Sequence, residues 1–362
     1  MALNQLILTH FRNLVSAELE LIPDGFNLIH GDNGGGKTSL LEAVHFLSLG
    51  RSFRCSLIDR MVNNDAEKFS IFSQLRAEDN QLIPVGIERE RGNASKIRIA
   101  GSDQKTIAEL ARLLPVCLIN SQSYNLLEGP IFRRKYLDWG VFYLQNDFVK
   151  AWQRFNRVIQ QRNSALRNRL SKTEVEIWTP ELIESAILMD KAREYTIQQL
   201  IPIISELLGL LLNLEAPIEI EYQRGWNPNV DYATVLEHAY LKDRQLGYTQ
   251  FGPHKADLKI SINQRSAKDF LSRGQQKLLV CGMIVAQGML LWTLNQTPPI
   301  FLIDDLASEL DSQSLSRIIG LLIRQKAQVF VTAIFPKVWD GFLDCATKLF
   351  HVEHGRVSVS TR

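Results

Sequence analysis

The chain has 362 residues, 41 Lys and Arg against 39 Asp and Glu, a formal charge of +2, and 45% hydrophobic residues. At roughly 150 residues per domain this is about two domains with cores of their own, and 22% charged residues with 17 Phe, 6 Trp and 8 Tyr exclude a chain dominated by disorder or repeats. Cys55, Cys117, Cys281 and Cys345 lie far apart without a CxxC pair, which excludes a disulfide framework and a zinc ribbon and suits a reducing cytosol.

The opening stretch MALNQLILTHFRNL lacks a basic n-region and is broken by His10 and Arg12, so it does not read as a signal peptide. It alternates as strands do: LNQLILTHF, then AELEL, a turn at Pro23 to Gly25, and the apolar run FNLIH. A glycine-rich loop follows, and then the helical pattern TSLLEAVHFLSLG, stopped by Gly50. Residues 69–100 read as strands, and from about Ile131 to Leu214 the pattern is long and helical. Strands return at Ile218 to Tyr222 and Asp257 to Ile262. The apolar run Leu278 to Trp292 is interrupted by Gln287 and is shorter than the ~20 residues that span a bilayer, so a buried core helix is expected. The end alternates: strand IFLIDD, helix SLSRIIGLLIRQK, strand QVFVTAI, a helix around Pro336 to Phe342, and the strand pair KLFHVEHGRVSVS. This is an α/β core with a helical insertion. The expected division is 1–125 for the first part of the core, 126–289 for the insertion and 290–362 for the second part of the core.

Gly31 to Thr38, GDNGGGKT, has the Gly, Lys and Thr spacing of a Walker A loop, set between an apolar strand and a helix. Glycines let successive backbone N–H groups wrap phosphates, and the following helix presents the positive end of its dipole. Gly31, Asn33, Gly34, Gly36, Lys37, Thr38 and Ser39 are the expected ATP contacts, Lys37 reaching the β- and γ-phosphates and the Thr38 hydroxyl meeting Mg²⁺. The metal also needs an acid at the end of a buried strand. Ile300 to Asp305, IFLIDD, supplies it: Asp304 for Mg²⁺ through water, and Asp305 to orient or deprotonate the attacking water.

In LSRGQQK, Leu271 to Lys277, Ser272, Gly274 and Gln275 resemble the LSGGQ signature of ABC-type ATPases, and SELD, Ser308 to Asp311, resembles their D-loop SALD. That resemblance implies contact with the γ-phosphate held by an opposite protomer, so that one protomer builds half a site. Taken alone, SRGQ also fits a Ser N-cap with a Gly turn. Asp305 stands where transport-type ABC ATPases usually carry Glu, and Ala333 where they carry a switch His. Both departures imply slow hydrolysis.

FRNL at Phe11 to Leu14, GDNGGGKTSLLEA, GRSFR at Gly50 to Arg54, RRKYLDWG at Arg133 to Gly140, YTQFGPHKADL at Tyr248 to Leu258, LSRGQQK and LIDDLASELD together resemble the RecF family of bacterial DNA replication and repair proteins. These are ATPase heads of the SMC/ABC type without the long coiled coil. The resemblance implies a P-loop ATPase core with an inserted helical lobe, and a weak DNA-dependent ATPase used as a switch. It further implies binding of duplex and gapped DNA, an ATP-dependent homodimer, cooperation with RecR and RecO in RecA loading, and a cytoplasmic, nucleoid-associated protein with no membrane. Between Lys37 and Gly274 lie 236 residues, too few for an SMC arm of hundreds. A helical hairpin with arms of ~40 residues would reach about 60 Å.

Between Arg133 and Lys172 there are ten basic residues and two acidic ones, a local net of +8 against +2 for the whole chain. Such a concentration is an electrostatic footprint for a phosphate backbone, and Arg133, Arg134, Lys135, Arg154, Arg157 and Arg162 are the DNA-binding candidates. A solvated basic face is the alternative. The interleaved Trp139, Phe142, Tyr143, Phe148, Trp152 and Phe155 read as the buried stripe of the helices rather than stacking platforms. Gln122 in NSQSY is a Q-loop candidate or a surface polar residue. His351 and His354 would point to opposite faces of a strand, which speaks against a metal site there.

Two other function classes remain at this level. The energising subunit of a membrane transporter would normally carry the Glu and switch His that are missing. A monomeric P-loop phosphotransferase with a helical lid would leave LSRGQ and SELD unexplained.

Overall fold

The computed structural model describes residues 1–77, 79–296, 298–339 and 346–360. The chain opens with the antiparallel hairpin β1 (Ala2–Phe11) and β2 (Leu14–Glu20), followed by β3 (Phe26–His30), whose first four residues are buried. The glycine loop then feeds α1 (Lys37–Leu49), buried continuously from Ser39 to Ser48, as expected of a helix apolar nearly all round. Gly50 closes it in the left-handed region at φ 62°, its N–H bonded to Phe46 O. β4 (Lys68–Arg76) alternates between buried and more exposed residues as a half-buried strand should. β5 (Leu82–Glu90), β6 (Lys96–Ile99), β7 (Ser102–Gln104), α2 (Ala108–Leu113) and β8 (Val116–Ile119) follow.

The helical part begins at α3 (Pro130–Leu144), with Pro at the first helical position, and continues through α4 (Phe148–Arg167), α5 (Lys172–Glu176) and α6 (Thr179–Leu211). A reciprocal capping box of Ser171 and Glu174 starts α5. At 20 and 33 residues, α4 and α6 span about 30 and 50 Å. They pack along one another, burying Phe155, Val158, Leu182 and Met189, and are shorter than the arms of ~40 residues expected. β9 (Glu219–Gln223), α7 (Tyr232–Leu246), β10 (Asp257–Ile262), β11 (Arg265–Ser266) and α8 (Ala267–Phe270) complete this part, its strands ordered β11-β10-β9. The helix α7, capped by Asp231 and stopped by Gly247, is not among the elements expected from the sequence.

α9 (Arg273–Asn295) carries the apolar run, and Leu279, Val280, Cys281, Met283, Val285 and Leu290 are buried in it, so it is a core helix although long and apolar enough to cross a membrane. β12 (Ile300–Ile303), α10 (Leu306–Glu309), α11 (Ser312–Arg324), β13 (Val329–Ala333), β14 (Thr347–Glu353) and β15 (Arg356–Ser360) close the chain. Of the helix expected around Pro336 to Phe342, Pro336–Trp339 is a single 3₁₀ turn; residues 340–342 lie outside the described ones, as does Cys345.

The residues group into two compact units, Met1–Ser123 with Lys277–Arg362, and Tyr124–Gln276. The expected boundary at 289/290 falls inside α9. Residues from Lys277 onward pack with the first unit: Lys277 bonds Glu309, and Gly288 lies so close to Phe301 that a Cβ there would stand 2.5 Å from the ring. The first unit holds an antiparallel sheet, β2-β1-β4-β5-β6-β7, and a second sheet, β15-β14-β3-β13-β12-β8, parallel apart from its edge strand β15. Leu6, Leu8 and Phe69 from one sheet, Phe46 and Leu47 from α1, and Leu302 and Phe330 from the other form one continuous core. Each such side chain contributes about 1.5–3 kcal/mol by leaving water.

Candidate nucleotide-binding site

The parallel strands β3, β12 and β13 end side by side, and the loops after their C-terminal ends carry the chemistry, as in open α/β sheets generally. After β3 the backbone turns at Gly31, φ 143°, where a Cβ would sit 2.1 Å from Val352 O. No other residue fits there. Gly36, φ 125°, opens α1. Lys37 folds back over the loop, its Nζ donating to Gly31 O at 2.7 Å and Asp32 O at 2.9 Å. Asn33, Gly34, Gly36, Lys37, Thr38 and Ser39 line a cavity of about 890 Å³ together with Asp304 and Asp305. That is the size range of small-molecule and cofactor sites.

One hydroxyl links the two phosphate-site motifs. Thr38 Oγ1 donates toward the Asp304 carboxylate at 3.1 and 3.2 Å. Thr332 Oγ1, buried on β13, donates to Asp304 Oδ1 at 2.8 Å and accepts from the Asp305 N–H at 2.9 Å. Asp305 has φ 55°, a left-handed conformation uncommon outside Gly, Asn and Asp, at the N-cap of α10; Ser308 Oγ donates to its Oδ2 at 2.8 Å. Thr38 and Asp304 are hard oxygen donors, one hydroxyl and one carboxylate, which fits Mg²⁺ bound through few protein ligands and the phosphates themselves.

The residues that brace this loop were not assigned roles by the motif spacing. Asn13 donates through Nδ2 to Gly35 O at 3.1 Å and accepts from Ser39 Oγ at 2.9 Å, so Ser39 faces Asn13 from the first turn of α1. Arg12 forms a two-bond fork with fully buried Glu42 of α1, at 2.9 and 2.6 Å, and Ser52 donates to the same carboxylate. Such bidentate pairs fix geometry as well as charge. The strings FRNL and GRSFR contain Arg12, Asn13 and Ser52, but nothing in their spacing reveals which partners they meet. Arg54, Arg60 and Asn63 line the same cavity. His30, just before Gly31, sits with its ring 5.0 Å from His351, and burial, then His351 and Lys37, hold its imidazole below the ordinary histidine value. His354 lies in the turn after β14, not on the strand.

Of the remaining candidates, Ser121 lines the cavity, whereas its neighbour Gln122 is exposed. Ser272, Gly274 and Gln275 open α9: Gln275 N–H donates to Ser272 Oγ at 3.3 Å and Ser272 N–H to Gln275 Oε1 at 3.0 Å, and a Cβ on Gly274 would meet nothing within 4 Å. Both the N-cap and the open glycine surface are therefore present. Lys277 donates to Glu309 O at 3.2 Å and to the Glu309 carboxylate, joining α9 to the end of α10.

The basic stretch is largely neutralised in space. Arg133 forks onto Asp257 at 2.7 and 2.9 Å, Arg134 donates to Ala256 O at 2.7 Å, Arg154 and Arg157 reach Glu181, and Arg154 also reaches Glu184. Arg162 is buried against Asp243 at 2.8 Å. Lys135 lies over the Phe132 ring. Four of the six, Arg133, Arg154, Arg157 and Arg162, are met by acids outside the counted window, Arg134 by a backbone carbonyl and Lys135 by an aromatic ring, so these six do not form one free cationic face. The aromatic stripe is buried at Tyr143, Phe148 and Phe155, while Trp152 is exposed.

Residues 2–358 match the family model of the RecF/RecN/SMC N-terminal domain. The chain is 40% identical over 361 residues to the DNA replication and repair protein RecF of Shewanella piezotolerans, covering 99% of both, and 40% identical over 358 residues to that of Vibrio parahaemolyticus, again covering 99% of both. It resembles the solved structure of the recombination mediator protein RecF with ATP in the RecFOR pathway, with a TM-score of 0.88 and 26% identity, covering 99% of this chain and 98% of that one. An SMC head bound to the C-terminal winged-helix domain of ScpA shares the fold, with a TM-score of 0.61 at 15% identity over 99% of this chain and 97% of that one. The chain has the ABC/SMC-head α/β fold and belongs to the RecF family of DNA replication and repair proteins.

Proposed function

We propose that the protein is an ATP-gated DNA-binding switch of recombinational repair and replication-fork maintenance. ATP bound on the Walker A loop of one protomer would be completed by Ser272, Gly274 and Gln275 of a second copy, closing a homodimer on duplex or gapped DNA. With RecR and RecO it would help RecA to load, as a cytoplasmic, nucleoid-associated protein. The observation that carries this reading is the Thr38 hydroxyl against the Asp304 carboxylate, 3.1 Å apart and 266 residues distant in sequence, in one cavity with Lys37.

In this account the loop amides and Lys37 hold the β- and γ-phosphates, and Thr38 and Asp304 hold Mg²⁺, which neutralises phosphate charge when bound. Asp305 orients or deprotonates the attacking water, with Thr332 fixing its backbone. An Asp in this place, and Ala333 one residue beyond Thr332, make hydrolysis slow, which suits a timer: the energy of nucleotide binding shifts an open-to-closed equilibrium, and turnover resets it. Phosphate release measured with and without a gapped duplex tests the reading. Slow turnover raised by DNA and abolished in Asp304→Asn is expected; a rate that DNA leaves unchanged overturns the switch.

A further inference from the structure

Four exposed cations of the helical unit lie outside the ion pairs described above, two of them, Arg167 and Arg169, near the end of the basic stretch itself. Arg167 ends α4, Arg169 lies two residues beyond it, Arg244 lies in the last turn of α7, and Lys255 ends the loop after it. Among the described residues none of the four has an acidic partner.

Buried bonds, not chance proximity, bring these segments together. Arg162, 2% exposed, donates from α4 to Asp243 of α7 at 2.8 Å and to Thr249 of the loop. Asn163 Oδ1 accepts from the Thr249 N–H at 2.8 Å, and Asp243 Oδ1 from the Gln250 N–H at 3.1 Å. The Gly247 N–H donates to Asp243 O at 2.8 Å. Arg167 packs on the Gly247 backbone, its Cγ 3.0 Å from where a Cβ on Gly247 would be. Lys255 Nζ sits 5.3 Å from the centroid of the half-exposed Tyr248 ring. The loop Tyr248 to Lys255, which by sequence is only a turn leading into a strand, is thus tied by buried bonds to α4 and α7, and the platform they form carries four exposed cations.

We propose that this platform is a phosphate-backbone site for duplex DNA, a proposal that rests on the DNA-binding reading above and places the DNA on residues other than the six candidates named from the basic stretch. The ends of α4 and α7 offset part of this charge, since a helix C-terminus carries about half a negative charge, but four full charges exceed two such ends. Guanidinium groups suit phosphate oxygens because their N–H fork matches them in two bonds. Bonds of this kind position the duplex without reading its sequence.

The test is fluorescence anisotropy of a short labelled duplex with the full chain, Mg²⁺ and ATP over a series of salt concentrations. The variant combines Arg167→Ala, Arg169→Ala, Arg244→Ala and Lys255→Ala. The expected result is an affinity at least about tenfold weaker and a slope of log K against log salt shallower by about 3 to 4, nearly one for each phosphate that the variant leaves unneutralised. ATP affinity should match the parent, which shows that the variant is folded. An Arg154→Ala, Arg157→Ala variant should keep both affinity and slope. If the fourfold variant binds DNA as the parent does, with the same slope, the proposal is overturned and the platform is left for an acidic protein surface. If the parent itself does not bind duplex DNA, the DNA-binding reading fails and the platform site fails with it.

Discussion

The Thr332 hydroxyl donates to Asp304 Oδ1 at 2.8 Å from the neighbouring parallel strand, and the same oxygen accepts the Asp305 N–H at 2.9 Å. One buried hydroxyl therefore fixes both acids of the IFLIDD strand end, and no apolar side chain of equal size can do so. Thr332→Val leaves the Asp305 N–H without an acceptor, at a cost of about 1–3 kcal/mol. Turnover of ATP should fall about tenfold with KM nearly unchanged, and Thr332→Ser should restore it. A Val variant with parental kcat removes Thr332 from the positioning of these acids.

Lys37 and Asp305 separate binding from chemistry. Lys37→Met removes the cation that stands over the loop carbonyls, so ATP binding measured by calorimetry and dimerisation should disappear together. Asp305→Asn keeps size and hydrogen bonding but not basicity. It should bind ATP, turn over at least about a hundredfold more slowly and accumulate as a dimer. Hydrolysis at the parental rate in Asp305→Asn would exclude Asp305 as the base.

Arg154 and Arg162 lie on the same helix and weigh equally in a charge count, yet they behave differently in space. Arg162→Ala strands the fully buried Asp243 carboxylate and should cost about 3–5 kcal/mol in chemical denaturation. Arg154→Ala breaks pairs that water already screens, so its denaturation midpoint should stay with the parent. Equal effects of the two substitutions would contradict this account of the helical unit.

Acid should loosen the ATPase unit through His45. This histidine is buried in α1 with Nδ1 at 2.9 Å from Arg51 O, and burial pushes its pKa down to about 4. The unfolded chain, near 6.5, binds the proton more readily, so the contribution is complete above pH 6.5 and declines as pH falls toward 4, by about 2 kcal/mol at pH 5. Thermal midpoints taken from pH 7 to pH 5 should fall less steeply in His45→Gln than in the parent. Parallel curves would rule His45 out as the source.

Glycine and lysine spacing made the Walker A loop legible, because only glycine tolerates the approach of Gly31 to Val352 O, and IFLIDD was legible as a buried strand ending in acids. Thr332 was not, since a threonine in an apolar strand looks like any β-branched residue until its partners from another strand are known. The pairing of the basic stretch was not legible for the same reason: the acid that neutralises Arg133 is Asp257, 124 residues away. For α7 the signal was present. Asp231 caps it, Tyr232, Leu236, Ala239 and Tyr240 share a buried face, and Gly247 ends it, a pattern hidden by the polar residues between them.

Sedimentation velocity of the full chain with Mg²⁺, with and without ATP, in the absence and presence of a short gapped duplex, bears most directly on the composite ATP site. The account predicts a monomer that becomes a dimer only with ATP and then co-sediments more strongly with the duplex. A monomer that binds ATP, stays monomeric and ignores DNA would contradict it.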